Sequence, residues 1–81
     1  MIQIQPFVTT NENLIATQLE VSKGDINDVS VDAAWRLYDS NGGYVNNGAM
    51  QLGGDDFAAY LEDEGYLIEY VVKTLGLTII N

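Results

Sequence analysis

The chain contains no cysteine and no histidine. Disulfide frameworks, zinc sites, thiol nucleophiles and histidine acid–base chemistry are therefore excluded. Basic residues are scarce as well. Lys23, Arg36 and Lys73 stand against twelve carboxylates, for a formal net charge of −9. Counterion-releasing contacts to phosphate need clustered Lys or Arg, so direct binding of nucleic acid or of an anionic membrane surface is not expected. No apolar run approaches the roughly 20 residues of a membrane span. Met1 to Thr10 carries no Lys or Arg ahead of its apolar residues, so no secretory signal is expected there. The lack of cysteine fits a cytosolic protein, and equally one that works outside a cell without redox dependence.

What the chain does have is apolar content. Of its 81 residues 47% are hydrophobic and 19% charged, a globular balance. The length implies one domain spanning residues 1–81. Size scaling gives a folded surface of about 4,800 Å² against about 12,900 Å² for the extended chain, enough for a thin core.

The first half has the period of strands. Ile2 and Ile4 alternate with Gln3 and Gln5, and Pro6, which lacks a backbone donor, marks this strand as an edge or a bend. Thr10-Asn11-Glu12-Asn13 reads as a turn. From Leu14 to Val21, Ile15, Thr17, Leu19 and Val21 share one face and Ala16, Gln18 and Glu20 the other. Ser22 to Ser30, with Gly24, Asn27 and three charges, reads as a loop. In the next strand, Val31 to Asp39, Val31, Ala33, Trp35 and Leu37 point one way, with Trp35 as the expected core anchor. Asp39-Ser40-Asn41-Gly42-Gly43 is a hairpin signal, since Asn and Gly tolerate positive φ. In the returning strand, Tyr44 to Leu52, the apolar parity changes, so a bulge is expected near Asn46-Asn47-Gly48.

The second half turns helical. Asp55 is placed to cap a helix carrying Phe57, Ala58, Tyr60 and Leu61, with Asp56 near the positive end of its dipole. Glu62-Asp63-Glu64-Gly65 interrupts. Tyr66 to Leu75 resumes helical spacing, with Lys73 in the last turn and Gly76 as C-cap. Leu77 to Ile80 reads as a short strand returning to the sheet edge. The order implies an α+β fold: an antiparallel β-meander of about four strands followed by two short helices packed on one face.

No catalytic constellation stands out, and no enzyme activity and no cofactor are expected. Neither Asp39 nor Asp25 begins a loop with calcium-binding spacing, because the twelfth positions are Met50 and Arg36 rather than Glu. Gly53-Gly54-Asp55-Asp56 lacks the lysine and spacing of a phosphate loop. Asp55, Asp56, Glu62, Asp63, Glu64 and Glu69 form a candidate acidic patch within one helical stretch. Tyr38, Tyr44, Tyr60, Tyr66 and Tyr70 are too many for so small a core, and tyrosine is enriched where proteins meet. They form the candidate interface, together with an unpaired sheet edge near Pro6.

One pattern is familiar. Trp35-Arg36-Leu37-Tyr38-Asp39 runs through a glycine turn to Met50-Gln51-Leu52-Gly53. Asp55-Asp56-Phe57-Ala58-Ala59-Tyr60 follows, then the acidic break, then Tyr66 through Leu75-Gly76-Leu77. This stretch resembles small proteins encoded among the structural genes of tailed bacteriophages and prophages. The resemblance implies a virion or tail-associated accessory role, in the virion or the host cytoplasm, with protein partners, through a homo-oligomer or a larger virion assembly. It brings no catalytic residues with it. The alternative is an acidic mimic of nucleic acid whose carboxylates occupy the phosphate sites of a basic DNA-binding protein.

Overall fold

A computed structural model describes residues 1–9 and 14–80. Four strands, β1 (Ile2–Val8), β2 (Ile15–Ile26), β3 (Ser30–Tyr38) and β4 (Tyr44–Gly53), precede helices α1 (Gly54–Glu62) and α2 (Tyr66–Leu75). The strands pair antiparallel in the order β1-β2-β3-β4. The fold is thus the α+β meander with trailing helices that the sequence implies. The turn expected at Thr10–Asn13 lies outside the described residues.

Directly opposed residues of antiparallel strands share a face. Leu19 opposes Leu37, Val31 opposes Leu52, and Ala33 opposes Met50. The helices cover that face with Phe57 and Tyr60 from α1 and Leu67 and Val71 from α2. The largest side chains buried outright are Ile4, Leu19, Leu37, Leu52, Val31 and Val71, each worth about 1.5–3 kcal/mol of burial. The body measures 38 × 25 × 18 Å, one sheet and one helical layer thick. Its surface of 5211 Å² exceeds the about 4,800 Å² of size scaling.

Several expectations are corrected. Trp35 lies on the core face but is only half-buried. Its indole spreads over Gly48, directly opposite on β4, so the anchoring falls to the leucines. A Cβ at Gly48 would sit 2.6 Å from Trp35 Cζ2, so this glycine makes room for a ring rather than a bulge. The bulge is at Val45: Leu37 opposes Asn46 and Tyr38 opposes Tyr44, with Val45 unmatched. Ala16, placed by alternation on the face opposite Leu19, is fully buried like Leu19 itself. It opposes Phe7 just beyond an irregularity between Gln3 and Phe7, where Pro6 interrupts the ladder.

Ser22 to Ile26 is strand, not loop. β2 runs on to Ile26, and the connection to β3 is a tight turn on Asn27. The Asn27 Oδ1 accepts the backbone N–H of Val29 and of Ser30, both at 2.8 Å. This end of β2 is exposed, and apart from Ile26 it carries no large apolar side chain, so the apolar alternation disappears. At the other hairpin, Asp39 Oδ1 accepts the N–H of Asn41 at 2.9 Å and of Gly43 at 2.8 Å. Gly42 there adopts φ 83°, the left-handed backbone expected of this turn.

Asp55 does not cap α1. The cap position is Gly53, and Gly54 makes the sharp strand-to-helix turn at φ 57°. Asp55 and Asp56 fall in the first turn, where the helix dipole favours anions. Gly76, at φ 75°, ends α2 as expected, and Leu77 N–H donates to Val72 O at 2.9 Å.

The chain then returns to the sheet and changes the edge expected near Pro6. Ile79 bridges Ile4, Gln5 N–H donates to Thr78 O at 2.8 Å, and Ile80 N–H donates to Gln3 O at 2.9 Å. The outer side of β1 is therefore closed around Gln3–Gln5, and β4 is left as the outermost strand at the opposite side of the sheet.

Candidate functional site

The five tyrosines do not form one surface. Tyr60 is 5% exposed and belongs to the core, which removes it from any contact surface. The other four fall into two pairs. Tyr38 and Tyr44 oppose each other at the neck of the β3–β4 hairpin. Tyr44 is 59% exposed, and its hydroxyl donates to Asn47 Oδ1 at 2.8 Å. Tyr66 and Tyr70 lie one turn apart on α2, with ring centroids 6.3 Å apart and tilted by 44°.

The Tyr66 hydroxyl donates to Asp56 Oδ1 at 2.6 Å, tying α2 to the first turn of α1. That hydrogen bond to a carboxylate holds the phenol proton and pushes the Tyr66 pKa above its ordinary 10.0. Desolvation and the negative charges of Asp56, Glu69 and Tyr70 act in the same direction. Beside the pair, Tyr66, Glu69, Tyr70, Val72 and Lys73 of α2 form with Ile79 an open groove of about 350 Å³. A second shallow groove, about 430 Å³, runs between Met1, Ile2 and the β2 residues Leu19–Val21 on one side and Ile68 on the other.

The acidic patch is likewise divided. Asp56 is engaged by Tyr66. Asp63 caps the end of α1, and its Oδ1 accepts Gly65 N–H at 2.9 Å. Asp55, Glu62, Asp63, Glu64 and Glu69 are exposed. Among the described residues no three carboxylates come together in a way that could hold a metal ion. The one ion pair among them is Arg36 Nη1 to Glu20 Oε1 at 3.5 Å, between exposed side chains, and such pairs contribute about 0–1 kcal/mol.

Two features escaped the sequence reading. Val8 and Ile15 oppose each other across β1 and β2 and remain 58% and 50% exposed, with Leu14 beside them at 38%. The second is β4. Like β1 it bears no charge in a chain of net charge −9, and that signal can be read directly from Tyr44 to Gly53. No helix of the described residues is long and apolar enough to cross a membrane.

No family model matches the chain, and neither a curated protein nor a solved structure matches it significantly.

Proposed function

We propose that the chain is a small structural and interaction protein, an accessory component of a phage virion or tail that works through protein–protein contacts. The observation that supports contact function best is the opposed pair Val8 and Ile15, each at least half exposed. Contiguous apolar surface of this kind favours burial against a partner. The virion assignment rests on the resemblance of the Trp35–Leu77 stretch to small proteins of tailed phages and prophages. The partners are other proteins, including further copies of the chain or a larger virion assembly, in the virion or the host cytoplasm. Nucleic acid, membrane, cofactor and catalysis have no part in this reading.

An antibody to the chain, applied to particles purified from an induced lysate of the cell that encodes it, tests the assignment. The chain is expected to cosediment with intact particles in constant ratio to their other subunits. A chain that stays in the soluble fraction while particles form normally overturns the virion reading.

The mimic reading has its own supporting observation, the exposed carboxylates Asp55, Glu62, Asp63, Glu64 and Glu69 of the helical layer. Under it, Glu62→Gln and Glu64→Gln lose a basic protein partner and binding collapses with added salt. Under the virion reading the same variants still enter particles.

A further inference from the structure

Edge strands of natural sheets are normally blunted by charge, proline, bulges or a covering segment. The two outer strands here are treated differently. β1 contains Pro6, is irregular between Gln3 and Phe7, and is closed by the bridge of Ile79 to Ile4. β4 has ten residues, no proline and no charge, and is regular from Asn46 to Gly53. Its one irregularity, at Val45, lies at the hairpin end.

The direction of its backbone groups can be worked out. Asn47 N–H donates to the Asn46 side chain at 2.9 Å, so it points off the β3 ladder. Backbone groups alternate along a strand, so the N–H and C=O of Ala49 and Gln51 point outward as well. Among the described residues, no side chain or backbone group from another element bonds to them. The Asn47, Ala49 and Gln51 side chains are also exposed.

We propose that β4 pairs edge to edge with β4 of a second copy, antiparallel about a two-fold axis at Ala49, joining two sheets into one of eight strands. The proposal rests on the contact reading above for its function and names a partner, but on another surface: β4 lies across the sheet from the exposed Val8–Ile15 pair of β1 and β2. Two observations favour a second copy. An antiparallel edge is self-complementary, since the same run of donors and acceptors read in reverse satisfies itself, and a two-fold contact uses the same patch on both subunits. The charge distribution points the same way. Two chains of net charge −9 repel wherever carboxylates face each other. The two outer strands are both uncharged, whereas β2, β3 and both helices bear charges; of the two, only β4 is open, because β1 is closed by Thr78–Ile80. A two-fold at Ala49 sets Asn47 opposite Gln51 of the second copy and pairs the stretch from Val45 to Gly53.

The chain's lack of cysteine makes the test clean. Opposed Cα atoms of a hydrogen-bonded antiparallel pair lie about 5.5 Å apart, within the span of a disulfide. Ala49→Cys is expected to give a covalent dimer under mild oxidation, while Thr74→Cys, exposed on α2, stays monomeric. By light scattering over a concentration series, the wild-type mass is expected to rise from 8.9 kDa towards twice that value. Ala49→Glu, which sets like charges face to face, is expected to hold it at the monomer and to melt cooperatively near the value of dilute wild type, without the rise in melting temperature that wild type shows with concentration. A dimer that survives Ala49→Glu, or a wild-type monomer at every concentration with no cross-link through Cys at position 49, overturns the pairing. If Ala49→Glu fails to fold, the cross-link decides. Loss of the chain from particles would be a separate failure, that of the virion reading.

Discussion

Gly48 and Trp35 offer the sharpest test of how the sheet is packed. Gly48 lies outside the positive-φ glycines, which are Gly42, Gly54 and Gly76. Replacing it by alanine therefore adds a methyl group without left-handed strain. That methyl would stand 2.6 Å from Trp35 Cζ2, 2.9 Å from Cε2 and 3.1 Å from Nε1. The indole must shift, and overpacking of this kind costs about 1–3 kcal/mol. Against it, alanine in a strand is favoured over glycine by about 0.5–1 kcal/mol. The net loss is about 0–2.5 kcal/mol, which at this chain length lowers the melting temperature by up to roughly 20 °C. Trp35 is the single tryptophan, so its emission reports the displacement directly, with a red shift as the ring moves into water. The cycle closes in a Trp35→Leu background, where Gly48→Ala is expected to be neutral or stabilising. A Gly48→Ala variant that melts above wild type with unchanged emission refutes the ring-over-glycine packing.

Other expectations follow from the same contacts. Leu37→Ala empties a site 1% exposed and should cost about 2–5 kcal/mol in denaturant unfolding; a loss near zero would mean that the paired leucines of β2 and β3 are not the anchor. Gly42→Val forces a β-branched residue to φ 83° and should lower stability by more than Gly43→Ala, where the neighbour is the Asp39 carboxylate, read by thermal melts of the two variants side by side. Tyr66 holds its proton more tightly in the folded chain, so the stability its hydroxyl adds is complete below pH 10 and is lost as pH rises through the higher folded pKa. Wild type and Tyr66→Phe should therefore differ at neutral pH and converge in strongly alkaline solution; a gap that stays constant with pH contradicts the Tyr66–Asp56 bond.

Much of this architecture could be read from local signals. The Asn41-Gly42-Gly43 turn, the span of α2 and its Gly76 cap depend on backbone preferences of adjacent residues, and they stand where the sequence places them. The features that were not legible depend on partners distant in the chain. Ser22–Ile26 continues β2 because β3 is there to pair with it, although the overhang has no apolar face to announce it. Tyr60 is buried because α1 turns that side toward the sheet, which tyrosine content alone does not reveal. The Tyr66–Asp56 bond spans ten residues across two helices, and the closure of β1 by Thr78–Ile80 joins opposite ends of the chain. The candidate site was the least legible part. Tyrosine content by itself does not separate the residues, whereas topology divides them between a hairpin neck, a helix face and, for Tyr60, the core, and it moves the free edge from Pro6 to β4.

That relocation of the working edge is best tested by amide hydrogen exchange on the full chain at increasing protein concentration. The outward amides of Ala49 and Gln51 are expected to slow as concentration rises, while those of β1 and of the exposed β2–β3 turn keep their rates. Exchange at Ala49 and Gln51 that is fast and independent of concentration would contradict the account.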